Sequence, residues 1–111
     1  VLLTHIAQVV DKSGVCRIGL DAGMNALMRP ALYESKHRMI NLSRSDEQSM
    51  MKVDVVGPIC ESTDVLAKRI LMPKPSQEGD VVLVDTAGAY GFVMANQYNK
   101  RALPREVILD V

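Results

Sequence analysis

Short apolar runs, each cut off after a few residues by glycine, proline or aspartate, constrain this chain more than any other feature. Val1 to Val10 is rich in β-branched and aliphatic residues, ends at the turn signal Asp11-Lys12-Ser13-Gly14, and gives way to the apolar run Val15 to Leu20. The pattern predicts strand, turn, strand. Asp21-Ala22-Gly23 breaks it, Met24 to Met28 suits one short helical turn, and Pro30 disfavours helix for Arg29 while suiting the first turn of a second helix through Glu34. Further strands are expected over His37 to Leu42, Met51 to Val56 (ended by Gly57-Pro58), Asp80 to Asp85 and Glu106 to Leu109. Ser43 to Ser49 reads as a loop or helical cap, and Pro73 to Gly79 as a surface connection. Asp64 to Leu71 is open between helix and strand, since a short apolar run does not distinguish them by period. The expected fold is therefore mainly β: a Greek-key-like β-sandwich or partly closed barrel with short helical insertions.

At 111 residues the chain has room for one modest core, so residues 1–111 are expected to be one domain. Val1 is not an initiator methionine and Val111 closes a strand-like run, so both ends read as cuts. Thirteen Lys and Arg balance thirteen Asp and Glu. That balance removes the electrostatic footprint of a nucleic-acid binder or of a protein held on an anionic membrane. The longest apolar runs, Val81 to Val84 and Phe92 to Ala95, fall far short of a membrane span. The start lacks a signal-peptide pattern, and the two cysteines, Cys16 and Cys60, have neither metal-ligand spacing nor the density of a disulfide scaffold. A cytoplasmic, reduced protein with no metal is expected.

Three segments carry residues capable of chemistry, each with a plainer alternative. Gly57-Pro58-Ile59-Cys60-Glu61-Ser62 sets a thiol beside a carboxylate after a corner that forces the backbone out of regular structure. A lone cysteine is more often a small buried residue. Ala87-Gly88-Ala89-Tyr90-Gly91 flanks a phenolic donor with residues small enough to let a phosphate approach, yet a glycine-rich turn beside a core tyrosine is commoner. Arg29 and Tyr33, four apart, share a face if Pro30 starts a helical turn, and offer a fork of donors to a carboxylate. The alternative is a surface arginine packed on a tyrosine ring. His5 and His37 read as structural or solvent-facing, and the seven methionines as core filling.

Taken in order, Asp21-Ala22-Gly23-Met24-Asn25, Arg29-Pro30-Ala31-Leu32-Tyr33, Gly57-Pro58-Ile59-Cys60-Glu61-Ser62 and Ala87-Gly88-Ala89-Tyr90-Gly91 resemble the C-terminal half of diaminopimelate decarboxylases. The Cys-Glu-Ser element is the most specific part, because the related ornithine decarboxylases carry Cys-Asp there. Thr63, often glycine in the family, is a small departure. The resemblance implies the β-rich C-terminal domain of an alanine-racemase-like enzyme, whose N-terminal β/α barrel binds pyridoxal 5'-phosphate. The activity it implies is decarboxylation of meso-2,6-diaminopimelate to L-lysine in lysine biosynthesis. It also implies that Arg29 and Tyr33 bind a substrate carboxylate and that Tyr90 lies where the cofactor phosphate and the substrate are held. Cys60 and Glu61 are implied to reach into the site of a partner subunit, Cys60 near the reacting carbon and Glu61 at the distal ammonium. A homodimer follows from that arrangement.

The family's cofactor-bonding lysine, a histidine over the cofactor ring, the glycine-rich phosphate loop and a further substrate arginine belong to the barrel, and no lysine here sits in a matching motif. The chain on its own is therefore expected to be inactive. Two other readings stand beside this one. A decarboxylase for ornithine or arginine is disfavoured by Glu61 and the Arg29/Tyr33 pair. A non-catalytic, decarboxylase-like interaction module would not need all five residues together.

Overall fold

The computed structural model describes residues 1–12 and 14–110. Six strands form one sheet: β1 (Leu2–Lys12), β2 (Val15–Leu20), β3 (Met39–Asn41), β4 (Met50–Val56), β5 (Val65–Pro73) and β6 (Val81–Val84), in the spatial order β3-β6-β1-β2-β4-β5. The outer strands β3 and β5 touch, so the sheet curls almost closed, as a partly closed barrel. β1 serves both halves. Its residues Leu2 to His5 pair with β6, those from Ile6 onward pair with β2, and the register shifts between Ile6 and Gln8, where the strand bends.

Alternation dictates which face is buried. In β2 the buried positions are Cys16, Ile18 and Leu20, in β4 Val53 and Val55, and in β6 Val82 and Val84. They meet Ile6, Leu27, Met39, Leu66 and Met72 in a single core. The hairpin from Lys12 to Val15 turns through Gly14, whose φ of 75° suits a tight two-residue connection. Ser13 of the expected turn lies outside the described residues. β2 and β4 run parallel, with Ile18 opposite Val55. Such a pair needs a long crossover, and residues 21–49 supply it.

Several expectations change. The ambiguous segment is strand β5, because it pairs antiparallel with β4. Arg69 bulges there with φ 53°, its N–H donating to Asp54 at 2.9 Å. Arg29 does not sit on irregular backbone: it opens α1 (Arg29–Tyr33), because the Leu32 N–H reaches the Met28 carbonyl at 3.0 Å and closes the turn across Pro30. Glu34, expected in that helix, caps it with φ 55°. A short helix α2 (Gly91–Met94) follows Tyr90. Glu106 to Leu109 is not a strand. Val107 and Leu109 line a groove with Val1, Leu2 and Leu3 without joining a ladder, so their apolar pattern lacks the backbone partner that defines a strand. Of the methionines, Met39 and Met72 fill the core, whereas Met50 is exposed.

Candidate functional site

The loop from Gly57 to Thr63 is tied from below by one buried side chain. Asp64 accepts the N–H of Ile59 at 2.8 Å and that of Met24 at 2.7 Å, joining this loop to the crossover loop that begins at Asp21. The two backbones meet so closely that a Cβ on Gly57 would overlap the Cα of Gly23 and the Asp64 carboxylate. Burial pushes the Asp64 carboxyl above its ordinary value, against the pull of the two N–H donors and the Arg101 charge. The Gly57 N–H donating to the Asp64 carbonyl at 3.0 Å closes the loop's neck.

At its crown stand Cys60 and Glu61, both exposed. The expectation drawn from cysteine's usual burial therefore fits Cys16 and not Cys60. The reason is local: Gly57-Pro58 turns the chain away from β4, Ile59 takes the buried position, and Cys60 is left outside. The Cys60 N–H donates to Asn99 Oδ1 at 2.8 Å, and the Tyr98 hydroxyl donates to Glu61. Through that bond Glu61 raises the Tyr98 pKa, so the phenol remains a donor.

The crossover loop is fastened at its start as well. Asp21 accepts from the Thr4 hydroxyl and from the His5 N–H at 2.9 Å, with His5 Nδ1 at 3.5 Å. Burial pushes the Asp21 carboxyl up, but these donors and the His5 ring outweigh it and hold the group below its ordinary value. Arg29, half-buried, and Tyr33, 62% exposed, lie at either end of α1, which packs on β5. His37, buried after α1, places Nδ1 3.0 Å from the Asp85 carbonyl, a structural role.

Tyr90, 65% exposed, adopts φ 63° just before α2, a conformation uncommon outside glycine. A Cβ on the neighbouring Gly88 would meet nothing within 4 Å, so the approach to this turn is open. Among the described residues, no hydrogen bond or ion pair links the Cys60–Glu61 crown, the Arg29–Tyr33 helix and Tyr90 to one another.

The contacts of Tyr98 and Asn99 with this loop have almost no trace in the sequence. The only signal was the polar cluster Asn96-Gln97-Tyr98-Asn99, whose distance from Cys60 along the chain hides the contact. No helix among the described residues is long and apolar enough to cross a membrane.

The chain is similar to a diaminopimelate decarboxylase of Archaeoglobus fulgidus, 45% identical over 110 residues, covering 99% of this chain and 26% of that protein. It is 50% identical over 91 residues to one of Bacteroides thetaiotaomicron, covering 82% of this chain and 23% of that protein. The chain thus spans about a quarter of the length of the curated relatives it matches. Among solved structures, a diaminopimelate decarboxylase from M. jannaschii superposes with a TM-score of 0.86 at 38% identity, over 94% of this chain and 23% of that one. Residues 1–88, from β1 through β6 to the turn before Tyr90, match the family described as pyridoxal-dependent decarboxylase, C-terminal sheet domain, and the chain belongs to that family.

Proposed function

We propose that residues 1–111 are the C-terminal domain of a diaminopimelate decarboxylase, a cytoplasmic homodimer that removes carbon dioxide from meso-2,6-diaminopimelate to give L-lysine. The observation that carries this reading is the crown of the Gly57–Thr63 loop, where a thiol and a carboxylate stand side by side at the surface on a buried anchor. The relatives named above support the substrate.

A substrate with two carboxylates and two amines demands a cation and a hydroxyl at its distal carboxylate and an anion at its distal amine. Arg29 and Tyr33 supply the first set and Glu61 the second. Cys60 holds a proton at Sγ and returns it to the reacting carbon, which is general acid work. Cys60 and Glu61 stand exposed on their loop, where a second subunit can meet them, and the site is shared across the homodimer.

The residues present fit pyridoxal phosphate in part. Tyr90, with an exposed ring beside an open glycine, suits a phosphate oxygen, while the bonding lysine would come from the barrel domain. When bound, that cofactor takes up the electron pair left on carbon as carbon dioxide departs. The work of this chain is to orient the substrate and to deliver the proton.

The test is reconstitution: this chain mixed with a matching barrel domain, pyridoxal phosphate and meso-diaminopimelate, with carbon dioxide release as the readout. Turnover should need both domains and fall in Cys60→Ala and Glu61→Ala, and the chain alone should be inactive. A folded complex that binds cofactor without turnover would overturn the reading in favour of another basic amino acid or a non-catalytic module.

A further inference from the structure

An exposed loop does not by itself hold two side chains in a reacting geometry, and small misplacements are costly to a rate. Asp64 anchors the base of the loop at Ile59, but Cys60 and Glu61 lie beyond that anchor. Two consecutive residues of the short turn Tyr98–Lys100 reach them: Asn99 Oδ1 takes the Cys60 N–H at 2.8 Å, and the Tyr98 hydroxyl donates to Glu61 Oε1. That turn is itself fastened to the crossover loop. Asn96 N–H donates to the Asn25 carbonyl at 2.8 Å, Tyr98 N–H donates to Asn96 Oδ1 at 3.1 Å, and the Arg101 guanidinium reaches the Asp21 carbonyl at 3.4 Å. Asn99 has φ 58°, a conformation asparagine tolerates better than most residues, so one side chain meets a backbone demand and a capping demand together.

We propose that Tyr98 and Asn99 are positioning residues for this site: Tyr98 holds Glu61 by one oxygen and leaves the other free for the distal ammonium of a diamino acid, and Asn99 fixes the backbone from which the Cys60 thiol projects. The inference rests on the roles proposed above for Cys60 and Glu61. A phenol donating to a carboxylate makes a short, charge-assisted bond, which restrains a side chain that water would otherwise leave free to rotate. The two halves differ in kinetics. The distal ammonium is unchanged while carbon dioxide leaves from the other end, so Glu61 binds substrate and transition state alike, and disordering it raises KM. Cys60 acts at the reacting carbon, and displacing it lowers kcat.

The experiment uses a holoenzyme in which this chain supplies the C-terminal domain. Tyr98→Phe is expected to raise KM for meso-diaminopimelate about 5-fold with kcat within about 2-fold, while leaving unchanged the inhibition constant of 2-aminopimelate, which lacks the distal amine. Asn99→Gly keeps the left-handed backbone and is expected to lower kcat about 5-fold with little change in KM. Melting temperature and the visible absorbance of bound cofactor should stay as in the parent for both. An unaltered KM in Tyr98→Phe, or an equal loss with 2-aminopimelate, overturns the role of Tyr98, and an unaltered kcat in Asn99→Gly overturns that of Asn99. Glu61→Gln separates the levels. If it raises KM while Tyr98→Phe is silent, only the present inference fails; if Glu61→Gln is itself silent, the proposed role of Glu61 fails and the inference with it.

Discussion

The Asp64 carboxylate accepts the Met24 N–H at 2.7 Å, joining two loops 40 positions apart. Its other oxygen takes the Ile59 N–H at 2.8 Å. Asp64→Ala leaves the buried Ile59 N–H and the part-buried Met24 N–H without their acceptor, and should cost about 2–4 kcal/mol in urea unfolding. Asp64→Asn keeps one acceptor and should lose less. Equal stability of all three proteins would show that the bridge does not hold the loops.

Gly57 faces a steric demand. Its Cβ position is filled by Gly23 Cα and the Asp64 carboxylate, so Gly57→Ala must push two backbones apart. Overpacking of this kind costs about 1–3 kcal/mol. A fall in Tm, together with loss of the protection from hydrogen exchange at the Met24 and Ile59 amides, is the expected result.

Asp80, like Asp21, contributes to the acid limb of stability. Burial pushes its carboxyl up, but hydrogen bonds from Arg44, from Asn41 and from the Gln77 N–H, with the Arg44 charge, outweigh burial and hold it below the ordinary aspartate value. The folded state therefore favours the ionised form, and its contribution is present above about pH 4 and lost as pH falls through the lowered folded value. Asp80→Asn should be less stable at pH 7 by about 1–2 kcal/mol and should show a shallower fall in Tm through acid than the parent. Parallel Tm curves for the two proteins would contradict this.

The two thiols should separate cleanly. Burial raises the Cys16 pKa, with the Asp11 charge adding to it, whereas Cys60 is exposed. Iodoacetamide at neutral pH should label Cys60 at least about 10-fold faster than Cys16 in the native chain, and both alike in urea, read by peptide mass mapping.

Much of the sheet was legible because alternation and turn residues are local signals. Val15 to Leu20, Met51 to Val56 and Val81 to Val84 all lie within strands, and Gly14 turns the hairpin. The parallel pairing of Ile18 with Val55 was not, since nothing in either run names a partner across the crossover. Glu106 to Leu109 misled for the matching reason: a strand-like pattern becomes a strand only beside a free edge. For the candidate site, Cys60, Glu61, Arg29, Tyr33 and Tyr90 are named by the resemblance of four motifs in order, since each alone has a plainer reading. Asp64, Tyr98 and Asn99 carry no such signature, because what they contribute is reach across the fold. Gly23 and Gly57 were its faint trace, two glycines that only a close crossing requires.

The parallel pair also dictates how much chain must lie between its strands. A tight turn cannot join β2 to β4, so any chain with this sheet must carry a long excursion between Leu20 and Met50, and here that excursion holds Arg29 and Tyr33. Its exposed side chains at Leu32, Tyr33, Glu34 and Lys36 can change with the strand register left intact, whereas Leu27 and Met39 belong to the core. On the roles proposed for Arg29 and Tyr33, part of substrate recognition rides on a stretch that the sheet needs for its connection and not for its pairing.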